Sequence, residues 1–409
     1  MKRTLVLNPV RIFNPLPLDR IIKDSQDEIE ILEDMSVVIE NGKIRELINS
    51  GRAEREMGDY NIIDCSGKAI LPGYVDSHTH LVYSGDRSEE FEMRSRGVSY
   101  LELLQSGNGI LRTLESTRKA SLSQLVNQSM QRLKRHLENG TTTMEIKTGY
   151  GLDYKNEKKM LDAMYKLEKL TRVKIVKTLL PLHAVPKDQG RNEYLELCQD
   201  RIITDLWKRS DFIDSFCDNG AFTVEETRNF FRECMKYGRK FRLHADELEN
   251  IGASLLTEEF PIISIDHLLH SKMRDIKRAF KNGAIPTILP GTALSLGEDY
   301  PRVDEWLNEG IPVGVASDIS PLSPVPDMKF HGFLAIKYCG MTPKEAFNGM
   351  TSISSHSLDL DKKKGQIAAG FDADILISDV KEVRDTFYNW ANTEFTVILN
   401  GQVHDFKKT

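Results

Sequence analysis

The chain has only five cysteines in 409 residues (Cys65, Cys198, Cys217, Cys234 and Cys339), an odd and scattered set without a Cys-x-x-Cys pair. That argues against a disulfide framework and against a thiolate zinc site. Buried free thiols are the expected state. Long apolar runs are missing as well: no stretch approaches the roughly 18 residues that a membrane span requires. The basic opening "MKRTLVLNPVRIFNP" is interrupted by Asn8, Pro9 and Arg11 before it reaches the quality of a signal sequence, so a cytoplasmic location is expected. There is no excess of positive charge, since 55 lysines and arginines are interspersed with 61 acids for a formal net charge of -6. Such a surface offers no footprint for nucleic acid or for an anionic membrane, and a small-molecule partner is the better expectation. No internal repeat or low-complexity tract stands out.

The length suits one large domain of roughly 250 residues and a smaller one. From Thr142 onward, short β-branched runs alternate with longer amphipathic runs, the pattern of repeated βα units and a parallel sheet. Eight strands are predicted: "YVDSHTH" (74–80), "TTMEIK" (142–147), "KIVKTLLPLHA" (174–184), "FIDSFC" (212–217), "KFRLHA" (240–245), "IISIDHL" (262–268), "AIPTILP" (284–290) and "IPVGVASD" (311–318). Between them, "LSQLVNQSMQRLKRHLENG" reads as a helix stopped at Gly140, and "TVEETRNFFRECMKYG" opens with Thr223 and Glu226 at capping-box spacing. The expected fold class is α/β, a (β/α)8 barrel over residues 69–359. Strand-and-turn sequences at both ends, with Asn-Gly at 41–42 and 400–401, predict a small β-sandwich assembled from residues 1–68 and 360–409. The segment 84–118 is long for a βα connection and is expected to act as a lid or binding loop.

Ten histidines occur, and five of them (His78, His80, His183, His244 and His267) fall at or near the C-terminal ends of predicted strands, the face on which a (β/α)8 barrel carries its chemistry. Side chains two apart on a strand share a face, so His78 and His80 can converge while Thr79 points away. Asp318 ends the apolar run "IPVGVAS", where an uncompensated carboxylate is costly, so a ligand or proton-shuttle role follows. Imidazole and carboxylate donors suit Zn2+ or Fe2+, and a bound metal brings the pKa of its water to about 7. Glu247, three residues after His244, is placed to act as general acid/base. His136, His270, His331, His356 and His404 lack strand-end placement and are expected to be structural or exposed.

These motifs resemble the amidohydrolase superfamily. The runs "SHTHLVYSGDRSEEFEMRSRG", "GILRTLESTRKAS", "EIKTGYGLD", "LPLHAVP", "GAFTVEETR", "HADEL" and "LPGTAL" are similar to the imidazolonepropionase family within it, and the likeness spans essentially the whole chain. The resemblance implies hydrolysis of the ring C–N amide bond of 4-imidazolone-5-propanoate to N-formimidoyl-L-glutamate, in histidine degradation. It implies one divalent metal, Zn2+ foremost and Fe2+ as the alternative, held by His78, His80, His244 and Asp318. Glu247, His267 and Asp318 take the catalytic roles. Arg87, Tyr150, His183 and Glu247 correspond to substrate contacts, with Ser320, Leu322 and Ser323 in the loop that follows Asp318. An arginine fork suits the propionate. Strand four has no lysine to carry a carbamate bridge, so a single metal is implied. Two departures are visible: "DISPLSPV" puts Ser320 where asparagine is expected and Leu322 where glycine is, and "SGNGI" replaces three glycines. The alternative is a deaminase of a purine, pyrimidine or related ring, which has no need of Arg87. A scaffold that had lost catalysis would be expected to lack ligands that are all present here. A homodimer is the expected assembly.

Overall fold

A computed structural model describes residues 3–405 except 57, 59, 99–101 and 103–107. All eight expected barrel strands are present, in order: Tyr74–Asp76 (β1), Thr141–Lys147 (β2), Lys174–Leu182 (β3), Phe212–Cys217 (β4), Lys240–Ala245 (β5), Ile262–His267 (β6), Ile285–Ile288 (β7) and Gly314–Val315 (β8). Each is hydrogen-bonded in parallel to the next. β1 and β8 are shorter than their sequence patterns suggest, yet the chain beyond them closes the ring. The Asp318 amide donates to the His78 carbonyl (3.0 Å) and the His80 amide to the Ile319 carbonyl (2.9 Å). Asp76, in turn, accepts the Ser317 amide (3.0 Å) and the Ser317 hydroxyl. Closure therefore brings the two ends of the ring, with His78, His80 and Asp318, to one place.

The helix Leu122–Glu138 carries a full capping box from Ser121 and Gln124, and Gly140 follows it at φ +93°. Val224–Cys234 starts with the expected Thr223/Glu226 box. Their apolar faces, Leu125, Leu133 and Leu137 on one and Phe230 and Phe231 on the other, are buried in the main core with the barrel strands. Of the segment 84–118, the structure describes helices Ser88–Ser95 and Ile110–Lys119. The stretch between them lies largely outside the described residues, including positions 106 and 107 of "SGNGI".

The chain ends form two further sheets. One has four strands (Lys43–Asn49, Met35–Glu40, Arg3–Leu7 and Asn61–Asp64), the other six, from Gln402–Val403 to Ile29–Leu32. In the six-stranded sheet Ala69–Pro72 pairs with Ile375–Ser378, so the end-built sheet reaches Pro72 rather than stopping at residue 68. Val6, Ile12, Val37, Ile39, Ile70, Ile375 and Ile398 fill the space between the sheets. Both Asn-Gly pairs turn as predicted, with positive φ at Asn41 and Gly42 and at Asn400 and Gly401. All five cysteines are free and buried. Among the described residues no helix is long and apolar enough to cross a membrane.

Asn348 locks the N-terminal segment to the barrel: it accepts from the Leu16 amide (3.1 Å) and donates to the carbonyls of Gln26 (2.7 Å) and Glu28 (2.9 Å). Replacing it by leucine keeps the volume but strands three backbone groups, each costing roughly 1–3 kcal/mol. Asn348→Leu is expected to lower unfolding stability by about 3 kcal/mol or more in a denaturant titration. A loss below about 1 kcal/mol would mean that the segment does not depend on this anchor.

Candidate active site

His78, His80, His244 and Asp318 meet at the C-terminal mouth of the barrel. The three imidazoles form a buried group whose ligand atoms lie within 4.8 Å of one another. His244 Nε2 and His80 Nε2 are 3.3 Å apart, and Asp318 Oδ1 stands 3.6 Å from His80 Nε2 and 3.8 Å from His78 Nε2. Donors about 2.0–2.1 Å from a shared tetrahedral centre are themselves about 3.4 Å apart. His78 Nε2 and Asp318 Oδ1 are both buried without a hydrogen-bond partner, an arrangement that a cation between them would relieve. The donor set thus fits a divalent metal.

Two of the three imidazoles, His78 and His244, are fixed from behind. His78 Nδ1 lies 2.7 Å from Asp266 Oδ2 and His244 Nδ1 lies 3.2 Å from Asp214 Oδ1, so in both the protonated nitrogen is turned to a carboxylate and Nε2 is left as donor to a metal. Burial above all, and then neighbouring cations such as Lys147 beside His78, hold His78 and His80 well below the usual imidazole range, which keeps them neutral. The Asp318 carboxylate accepts from the Thr292 hydroxyl (2.5 Å). Burial pushes it up to about 6.

Five charged residues that sequence reasoning passed over, Lys147, Arg242, Glu145, Asp214 and Asp266, carry this layer. Lys147, on β2, is fully buried and bridges Glu145 (2.8 Å) and Asp214 (2.7 Å). Arg242, on β5 and equally buried, reaches Asp266 (3.2 Å) and donates to the carbonyls of Ser77 (2.8 Å) and Ser357 (2.7 Å). Burial disfavours the charge on Lys147, but Asp214 and Glu145 outweigh it and hold the amine above its ordinary range. The signal was present in the sequence: Lys147 in "TTMEIK", Asp214 in "FIDSFC", Arg242 in "KFRLHA" and Asp266 in "IISIDHL" interrupt strands covered on both faces, where a charge needs a partner.

Above the imidazoles, the pocket is walled by Arg87, Tyr150, His183, Phe216, Glu247, His267, Ser320 and Leu322. Ser323 is set apart: its buried hydroxyl lies beside Gly291, the neighbour of His331, and it is not among the lining residues. Arg87 is 5% exposed, gives its Nε–H to the Thr113 hydroxyl (3.1 Å), and has no carboxylate within ion-pair distance among the described residues. His183 Nδ1 lies 2.9 Å from the Gly149 carbonyl, so that nitrogen bears the proton and Nε2 is an acceptor. Glu247 Oε2 is 3.6 Å from His267 Nδ1. Burial, then the charge of Asp318, raise Glu247 well above the ordinary carboxyl range. His136 and His331 are buried away from the pocket, as expected of structural histidines.

Residues 69–404 match the model of the amidohydrolase family. Imidazolonepropionase of Thermoplasma volcanium is 36% identical over 381 residues, covering 93% of each chain. That of Bacillus cereus is 34% identical over 410 residues, covering 98% of this chain and 97% of its own. The chain belongs to the imidazolonepropionases of the amidohydrolase family. Among solved structures, Escherichia coli guanine deaminase superposes with a TM-score of 0.77 at 16% identity, covering 99% of both chains, a likeness of fold. In this chain the carboxylates of Asp266 and Asp214 orient the His78 and His244 rings. Asp266→Ala is expected to weaken metal binding about 10–100-fold, read by competition with a chromogenic chelator. An affinity within twofold of the parent would show that His78 needs no such support.

Proposed function

We propose that this chain hydrolyses the ring amide C–N bond of 4-imidazolone-5-propanoate to give N-formimidoyl-L-glutamate. The observation that carries this reading is Arg87, a buried cation without a carboxylate partner among the described residues, facing a pocket whose floor is a metal-type donor set. An unpaired buried charge is costly, and a substrate carboxylate would compensate it with a two-donor fork. A neutral purine or pyrimidine would leave it unpaired, which disfavours the deaminase reading.

A divalent cation bound by His78, His80, His244 and Asp318 would supply Lewis acidity and make water acidic enough to ionise near neutral pH. Three imidazoles and one carboxylate suit Zn2+, and metal analysis separates it from Fe2+. Arg87 holds the propionate. His183, with its proton committed to the Gly149 carbonyl, accepts a ring N–H at Nε2. Tyr150, at the same wall, contacts the ring. Water adds to the ring carbonyl carbon while Glu247 takes a proton from it, and the same carboxyl returns that proton to the ring nitrogen as the C–N bond breaks. Its raised pKa suits a group that must both accept and donate near neutrality. His267, beside Glu247, donates to the carbonyl oxygen as negative charge develops there.

Metal-loaded protein mixed with freshly prepared imidazolonepropanoate should remove its ultraviolet absorbance and yield formimidoyl-glutamate by mass. Absence of that product, with ammonia released from a purine or pyrimidine instead, would replace this reading by the deaminase one. Arg87→Met should raise KM about 100-fold, the loss of roughly 3 kcal/mol of charge-assisted hydrogen bonding, with a much smaller change in kcat. An unchanged KM would remove the propionate from Arg87. Glu247→Gln should retain its metal yet lose about 10²–10⁴ in kcat, and near-normal turnover by that variant would assign proton transfer elsewhere.

A further inference from the structure

Two of the loops at the barrel mouth, those carrying Tyr150 and Glu247, are each wrapped around a buried carboxylate of the chain itself. The loop of "EIKTGYGLD" carries Tyr150. Its backbone N–H groups converge on Glu157, which lies one turn into helix Tyr154–Thr171: the Glu157 carboxylate accepts from Gly149 (3.1 Å), Gly151 (2.8 Å) and Leu152 (2.9 Å). Glu157 has no exposed surface. The two glycines are required by this wrap. A Cβ on Gly151 would sit 2.4 Å from the Glu157 amide nitrogen, and one on Gly149 would sit 2.7 Å from His183 Nδ1. Because the Gly149 carbonyl accepts from His183, Glu157 fixes the orientation of two pocket residues at once.

The loop after β5 repeats the device with different residues. Asp218, just past β4, accepts from the amides of Glu247 (2.6 Å), Leu248 (3.1 Å) and Glu249 (3.0 Å). Successive N–H groups of this kind form an anion-binding concavity, here filled internally. Neither carboxylate lines the pocket. We propose that Glu157 and Asp218 are positioning residues with separate tasks, Glu157 presetting the substrate-binding pair Tyr150 and His183, and Asp218 presetting Glu247 for proton transfer. The division of labour rests on the hydrolase reading above; the anchoring of each loop does not.

Opposite kinetic signatures test it, because general loosening of the fold cannot produce both. With metal content and thermal midpoint recorded for each variant, Glu157→Gln should raise KM about tenfold or more with kcat within about threefold. Asp218→Asn should lower kcat about tenfold or more with KM within about threefold. Adding Asp218→Asn to Glu247→Gln should cost less than about twofold further, since the residue acts through Glu247. Hydrogen exchange read by mass spectrometry should quicken at 149–152 in the first variant and at 247–249 in the second. The same kinetic pattern in both variants, constants within about twofold of the parent, or full additivity with Glu247→Gln would overturn the proposal. Glu157→Asp and Asp218→Ser, gentler changes to the same acceptors, decide on the same criteria if the first pair does not fold. Failure of the unmutated, metal-loaded protein to turn over imidazolonepropanoate would refute the substrate reading. The exchange measurement then decides the anchoring, with unchanged exchange in both loops overturning it.

Discussion

The pairing of Lys147 and Arg242 with Glu145, Asp214 and Asp266 inside the barrel is the constraint on which the site depends. Five charged side chains without exposed surface occupy the middle of the parallel sheet. Any one of them alone would be untenable there, because an isolated charge in such a medium costs far more than a single pair recovers. Together, three carboxylates and two cations leave one negative charge below the imidazoles. Asp318 contributes a second at the mouth. Two negative charges beside the cluster of three imidazoles suit a divalent cation in charge as well as in spacing.

The same layer explains how a hydrolytic centre is kept both rigid and reactive. Asp266 and Asp214 point His78 and His244 outward, and Arg242 ties Asp266 to the Ser77 carbonyl just before His78, so His78 and its support are held by one network. Ring closure through Asp76 and Ser317 joins the first and last strands next to His78 and Asp318. Strand ends that diverged by even an ångström would spoil donor spacings of 3.3–3.8 Å. His267 and Asp318, both lining the pocket, have positive φ, an unfavourable backbone for non-glycine residues that is borne at this mouth.

Much of this was legible in the sequence, for identifiable reasons. Strand periodicity and apolar runs revealed the eight barrel strands, and strand-end placement separated His78, His80, His244 and His267 from histidines such as His136. The end-built sheets could be read from alternation and from two Asn-Gly turns whose geometry is local. The interior charges were harder to see, because a lysine or aspartate in a half-buried strand ordinarily marks the solvent face. Only the closed parallel barrel, with both faces covered, turns Lys147 and Asp214 into obligatory partners. Asp218 and Glu157 were invisible for another reason: their partners are backbone amides, which leave no mark in residue type beyond the glycines that make room.

The departures at Ser320 and Leu322 acquire a definite meaning from their position. Neither enters the donor set; both stand on the wall that faces Arg87 and Glu247. Arg87 and Leu322 line both this pocket and an outer cavity of about 640 Å³. The two side chains stand as a partition between the imidazole floor and the outer cavity. Glycine in place of Leu322 would leave that partition open. Leucine, held here without a positive φ, makes the apolar half of it, and Arg87 makes the charged half. The histidine cluster therefore does not draw on Ser320 or Leu322, and the consequences of the altered loop fall on the pocket wall beside Arg87.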